Sequence, residues 1–394
     1  MRYDFDQVIQ RRNTGSSKWD NVRARVGNAD ALPMWVADTD FPCPRPVVDA
    51  VIARAKHPIY GYPYLEPGFY SSTVDWVRRR HGWSLDPEWL VFATGVVPVF
   101  NTMIQAVTEP GDHILIQRPV YHPFNNVVDD NGRIVSSNSL LYQNGRYTID
   151  FEDLERRAAD PKAKLMIFSN PHNPVGRVWT REELSRVAEI CFRNHVVVIS
   201  DEIHSDLILG DCGHIPMGML NPEWNQNIIT CYAPSKTFNI AGLRGSAIVV
   251  PNPILREKLQ KQFTANRSIQ QNVFAMPAYI AAYSGECDDY LDQLLDYIRS
   301  NVGFLERYLA EHMPKIKLVR PEATYLVWLD CAELGLEGDE LASFFIDTCQ
   351  VAINRGTMFG QEEGKHFARL NVGCPRATLS EGLRRIRSEY EKRW

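Results

Sequence analysis

The feature that most constrains this chain is an alternation between about residues 45 and 285, where short apolar runs are separated by amphipathic stretches. The runs are Trp89–Thr94, His113–Gln117, Lys164–Ser169, Val196–Ser200, Ile228–Tyr232 and Ala247–Val250. Between them lie helical patterns such as Pro98–Thr108 and Thr180–Asn194. In the second, Leu184, Val187, Ala188 and Cys191 recur at spacings of three and four. Continuous apolar strands separated by helices predict a mostly parallel sheet covered on both faces. The fold class is α/β.

The rest of the 394 residues reads differently. Long helical patterns fill 253–313, broken at Ser284-Gly285. Strand-like segments follow at Lys317–Val319, Tyr325–Leu329, Val351–Asn354 and Phe367–Val372, with helices expected at Gly338–Gln350 and Thr378–Arg393. The first 45 residues are too irregular to fold alone. Residues 46–286 are therefore assigned to a large domain, and 1–45 together with 287–394 to a smaller α+β domain.

Composition removes several classes of function. Lys plus Arg number 43 against 48 Asp plus Glu, a net charge of −5 without the basic footprint of a nucleic-acid protein. The eight cysteines are scattered with no CxxC pair, which predicts reduced thiols, no zinc site and a cytoplasmic chain. The histidines form no HExxH or HxH cluster, so no metal is expected. Neither a signal peptide nor an 18-residue apolar span is read, so no membrane partner is expected.

Three segments carry the chemistry, each following an apolar run. Ser235-Lys236-Thr237-Phe238-Asn239 follows Ile228–Tyr232. Most lysines are simply exposed, but one held at a strand end and desolvated becomes a nucleophilic amine suited to a Schiff base. Ser235 and Arg244 nearby suit a phosphate. Ser200-Asp201-Glu202-Ile203-His204 puts an acid just after Val196–Ile199. Asp201 is either a helix cap or the partner of a protonated pyridine nitrogen. Asn170-Pro171-His172-Asn173-Pro174 reads as a turn, or as the place from which Asn173 donates to a phenolate oxygen. All three sit where α/β sheets bind ligands, at the carboxyl ends of strands.

The combination of N-P-x-N-P-x-G, S-D-E-I-H and S-K-T-F-N-I-A-G closely resembles the fold-type I pyridoxal-phosphate enzymes. Within them the chain resembles the MalY/PatB/cystalysin-like cystathionine (cysteine-S-conjugate) β-lyase family, from Tyr3-Asp4-Phe5 to Arg369-Leu370-Asn371. That resemblance implies a seven-stranded-type sheet and pyridoxal 5'-phosphate as cofactor. It implies Lys236 as catalytic residue, Asp201 at the pyridine nitrogen, Asn173 at the ring hydroxyl and Tyr121 on the ring face. His204, standing where transaminases usually carry tyrosine, is also expected to bind the cofactor. The phosphate is expected on the backbone N–H groups of Val96 and Val97, a helix start that suits an anion, with Ser235 and Arg244. Tyr62 is expected to reach the phosphate of a neighbouring subunit in a homodimer. Arg369, with Tyr121, is expected to hold the amino-acid substrate.

The implied reaction is α,β-elimination of L-cystathionine or another cysteine S-conjugate to thiol, pyruvate and ammonia. An aminotransferase fits the same residues, and a regulatory protein that merely retains the cofactor site is a third reading. His122 beside Tyr121 leaves the leaving-group chemistry open.

Overall fold

The computed structural model of the protein describes residues 2–394. Seven strands form the main sheet: β1 (Leu90–Ala93), β2 (His113–Ile116), β3 (Ile134–Ser137), β4 (Ala163–Ser169), β5 (Val197–Asp201), β6 (Ile228–Tyr232) and β7 (Ser246–Val249). Their order across the sheet is β1-β7-β6-β5-β4-β2-β3. Every pairing is parallel except those of β7, which runs antiparallel to β1 and β6. Six strands lie within a residue or two of the expected apolar runs. The seventh, β3, has no counterpart among those runs. It is a sheet edge whose residues are all exposed or half-buried, and Ser136-Ser137 breaks the apolar signal.

The helices include α1 (Val22–Val26), α2 (Val96–Val107), α3 (Arg181–Arg193) and α4 (Asp288–His312). Thr180 and Glu183 close a reciprocal capping box that starts α3. Leu184, Val187, Ala188 and Cys191 are buried along one face, as their spacing required. Truncating Leu184 to alanine there would cost about 2–5 kcal/mol. Helix α2 begins at Val96, two residues before the expected start, because Pro98 sits in the first turn, where a missing N–H costs nothing. The helix expected at Gly338–Gln350 is shorter, an α-helix at Gly338–Ser343 that widens into a π-type turn at Phe344–Thr348.

A second, four-stranded antiparallel sheet combines β8 (Lys317–Val319), β9 (Leu326–Asp330), β10 (Asn354–Arg355) and β11 (Phe367–Asn371), in the order β8-β9-β11-β10. The closing helix is α5 (Arg376–Tyr390). One apolar core runs from Phe69 and Trp76 through Tyr279 and Tyr290 to Leu326 and Leu383. The N-terminal segment is tied in at Leu32–Pro33, which pairs in parallel with Val351–Ala352. A buried ionic cluster anchors the stretch on either side of that pairing: Lys18 lies 2.7 Å from Asp40, and Arg11 bridges Asp38 and Asp40 at 2.8 and 2.7 Å. Among the described residues no helix is long and apolar enough to cross a membrane.

Candidate active site

Strand register assembles the site. Ser169 at the end of β4 faces Asp201 at the end of β5, and Asp201 faces Cys231 on β6. The three segments singled out in the sequence therefore leave the sheet side by side at its carboxyl edge. Beyond β6 the chain turns tightly, with Phe238 N–H donating to the Pro234 carbonyl and Ile240 N–H to that of Ser235. Thr237 Oγ1 donates to Asp206 at 2.8 Å and pins the turn. Asn239 sits at φ 57°, a left-handed position that asparagine tolerates. Its side chain bonds the backbone of Thr39 and Phe41. That stitch brings Ala37 over the turn, and Lys236 Nζ donates to the Ala37 carbonyl at 2.7 Å.

Two adjacent carboxylates have opposite environments. Glu202 accepts from Ser200 Oγ (2.8 Å), Met217 N–H (2.9 Å) and Tyr232 OH (2.9 Å), and lies 2.8 Å from His214 Nε2. Burial opposes its ionisation, yet His214 and these donors hold its pKa below the usual value. Asp201 has a single long hydrogen bond, from Ile203 N–H at 3.4 Å. Burial pushes its pKa up to about 7, against the pull of that N–H and of Lys236. Asp201 is a carboxyl short of donors, facing a small cavity that Tyr121, Asn173, His204 and Lys236 also line. Burial likewise lowers Lys236 to about 8 and His204 to about 3, with Lys236 and Arg369 adding to the second shift. His204 is thus a neutral imidazole at neutral pH.

Arg369, on β11, is buried without a carboxylate. Nη1 donates to Asn173 Oδ1 at 3.1 Å, and Nη2 donates to Asn354 Oδ1 at 2.7 Å and to the Trp35 carbonyl at 3.1 Å. Its Nε has no partner among the described residues. Burial lowers its pKa to about 10, which leaves it charged. A cation bonded only to neutral acceptors is a receptor for an anion. Asn173, its carbonyl end occupied by Arg369, keeps its amide N–H₂ for another ligand.

A second cavity of about 490 Å³ adjoins the first, with Ala37, Tyr121 and Lys236 lining both. Arg369 and His122 line the outer one. Burial, then Arg369, lowers His122 to about 4.

Val96, Val97, Ser235 and Arg244 fall at the β1/β7/β6 edge. Gly95, at φ 140°, precedes α2, whose first turn has no side-chain cap and no acid. The N–H groups of Val96 and Val97 are thus open at the positive end of the helix. Ser246 on β7 faces Ala93 on β1, and Ala247 faces Tyr232 on β6, so Gly95–Val97, Arg244 and Ser235 leave neighbouring strand ends. Arg244 is exposed at φ 52°. Tyr62 is apart from all of these. It is fully exposed at 103% and lines a different cavity.

Sequence reasoning missed Ala37, Trp35 and Asn354, which hold the two cations. Two of them act through backbone carbonyls, which leave no side-chain signature. Asn354 lies in the unremarkable run Val351–Arg355 and meets Arg369 only through the β10–β11 register.

Fold and site together define a class. The family model for aminotransferases of class I and II matches residues 36–386, and the chain belongs to that family. Over 385 residues it is 43% identical to cystathionine beta-lyase PatB of Bacillus subtilis strain 168, covering 98% of this chain and 99% of that one. Cystalysin from Treponema denticola, whose crystal structure contains pyridoxal 5'-phosphate, superposes with a TM-score of 0.95 at 33% identity over all of both chains. The pyridoxal-phosphate-bound C-S lyase from Staphylococcus hominis superposes with a TM-score of 0.91 at 32% identity, over 99% of this chain and 98% of that one.

Proposed function

We propose that this chain is a pyridoxal-phosphate-dependent carbon–sulfur β-lyase. It splits L-cystathionine or another cysteine S-conjugate, with one water, into a thiol, pyruvate and ammonia. The observation that carries the reading is full-length likeness to a cystathionine beta-lyase and to C-S lyases, on a chain whose Lys236, Asp201 and Arg369 converge.

The donor set fits the cofactor. Asp201 is a buried carboxyl that lacks donors, as a protonated ring nitrogen requires. Asn173 has a free N–H₂ for the ring hydroxyl, and the uncapped start of α2 offers N–H groups for the phosphate, with Ser235 and Arg244 beside it. Tyr121 supplies an aromatic face. When bound, pyridoxal phosphate supplies an electron sink beside the substrate's amino group.

The chain's own residues do the rest. Arg369 holds the α-carboxylate through its unpartnered N–H, which orients Cα. Lys236, with an amine poised near neutrality, takes the Cα proton as general base. Asp201 would hold a protonated ring nitrogen and so keep the ring electron-poor. The Cβ–S bond breaks, and the sulfur departs with the electron pair as thiolate. His204 and His122, both neutral, line the cavities without adding charge.

We also infer a homodimer with sites shared between chains. Ile59, Tyr60, Tyr62 and Tyr64 are exposed by 55% to 103% on one loop. The same loop borders a cavity of about 1020 Å³ with Tyr70 and Phe263. Exposed aromatic clusters of this kind mark interfaces.

The test incubates purified protein with cystathionine and no 2-oxo acid. Pyruvate and thiol are expected, and Lys236→Ala should abolish both. Turnover that requires a 2-oxo acid acceptor would make the chain an aminotransferase instead.

A further inference from the structure

Resting on the lyase reading, we infer that the outer cavity selects cysteine S-conjugates whose sulfur substituent ends in a carboxylate, and that Arg25 recognises it. The lining of this cavity contains Lys236, Arg369, Arg25 and Arg355 and no Asp or Glu. Lys236 and Arg369 belong to the inner end and to the reaction. The other two cations have no task in the elimination.

Arg25 and Arg355 are not equivalent. Arg355 Nη1 lies 2.6 Å from Asp339, which offsets its charge. The Arg25 side chain has no ion pair or hydrogen bond among the described residues, and it is exposed. Nor is it adrift. It sits on α1, whose Val22 and Val26 pack with Ala31, Ala352 and Trp35. That small core holds the helix at the cavity wall.

The rest of the lining is mostly apolar. Trp35, Ile346, Ile353 and Met358 line the same cavity. With the α-carboxylate on Arg369 and Cα at Lys236, a substituent on Cβ extends along these side chains toward Arg25. A short aliphatic spacer then places an acid at the Arg25 guanidinium. A distal ammonium meets net positive charge there and is disfavoured. Cystathionine, which ends in both groups, gains from its carboxylate and loses from its ammonium.

The experiment compares S-(2-carboxyethyl)-L-cysteine with its near-isosteric amide, S-(2-carbamoylethyl)-L-cysteine. Pyruvate release should favour the acid by about five- to tenfold in kcat/KM, and added salt should erode the preference. Arg25→Gln should abolish the preference, whereas Arg25→Lys should retain part of it. Equal turnover of acid and amide by the wild type overturns the inference, as does a preference that survives in Arg25→Gln. A parallel calorimetric titration of both compounds into the Lys236→Ala protein reads binding alone. If neither compound yields pyruvate, the lyase reading fails. The binding preference and its loss in Arg25→Gln/Lys236→Ala then still decide the role of Arg25.

Discussion

Asn354 Oδ1 accepts from Arg369 Nη2 at 2.7 Å, and this contact across β10 and β11 aims a buried guanidinium that no carboxylate holds. Had the partner been an acid, the guanidinium proposed to receive the substrate carboxylate would already be filled. A neutral amide positions the cation without neutralising it.

Asn354→Ala should therefore raise KM for the amino-acid substrate by about tenfold or more and change kcat little, since a hydrogen bond to a charged group contributes about 1.5–3 kcal/mol. Asn354→Asp should be worse, because the new carboxylate competes with the substrate. Steady-state kinetics on both variants decide the matter, and an unchanged KM in either would show that Arg369 is positioned by Asn173 and Trp35 alone.

Asp201→Asn should cost turnover by several orders of magnitude, because an amide does not hold a protonated pyridine. A loss under about tenfold, or 1.4 kcal/mol of barrier, would reduce Asp201 to a loop anchor. The same change should stabilise the cofactor-free protein at high pH. The folded pKa of Asp201 is raised from 3.8 to about 7. Its contribution is complete below pH 3.8 and is lost as pH rises through 7, at roughly 1.4 kcal/mol per unit of separation. Melting temperatures of the two apoproteins should thus diverge between pH 4 and 8, with the variant ahead. Parallel curves would mean that the carboxyl is not desolvated.

The sequence exposed what depends on local pattern. Six of seven sheet strands are apolar runs because both faces of a parallel sheet are covered, and Lys236, Asp201 and Asn173 could be singled out because each lies at or just beyond the end of such a run. What stayed hidden depends on register or on backbone. Strand β3 is an edge and carries serines. Asn354 meets Arg369 only after two strands pair, and the Ala37 carbonyl reaches Lys236 through the Asn239 stitch to Thr39 and Phe41. The difference between Asp201 and its neighbour Glu202 is equally invisible in sequence. It arises because side chains alternate across a strand end, so that only Glu202 meets Ser200, His214 and Tyr232.

Lys236 should behave as an amine with pKa near 8. Burial disfavours its ammonium, and Arg369 adds repulsion, while Asp38 and Asp201 pull the other way. In the cofactor-free protein its reaction with a small acylating reagent, followed by mass spectrometry of the labelled peptide, should rise about tenfold per pH unit up to 8 and level off above. A lysine in a free peptide should go on rising toward pH 10.4. A Lys236 profile that follows the free peptide would remove the basis for its role as a base at neutral pH.

Subunit mixing tests the shared site. Tyr62 is fully exposed in the single chain and lines a cavity that does not include Lys236, so its phenol is open to a partner chain. In a two-fold dimer each site would take Lys236 from one chain and Tyr62 from the other. Tyr62→Phe should first weaken cofactor retention by about tenfold or more, the loss of a hydrogen bond to a charged phosphate. At a cofactor concentration where Tyr62→Phe and Lys236→Ala are each inactive, the two proteins are unfolded together, refolded and assayed. Each mixed dimer places both lesions in one site and neither in the other. With random pairing half the dimers are mixed, so activity should return to about one quarter of the wild-type value. Mixed dimers verified by mass spectrometry that stay inactive would place Tyr62 outside the partner's site and leave its loop as a plain interface.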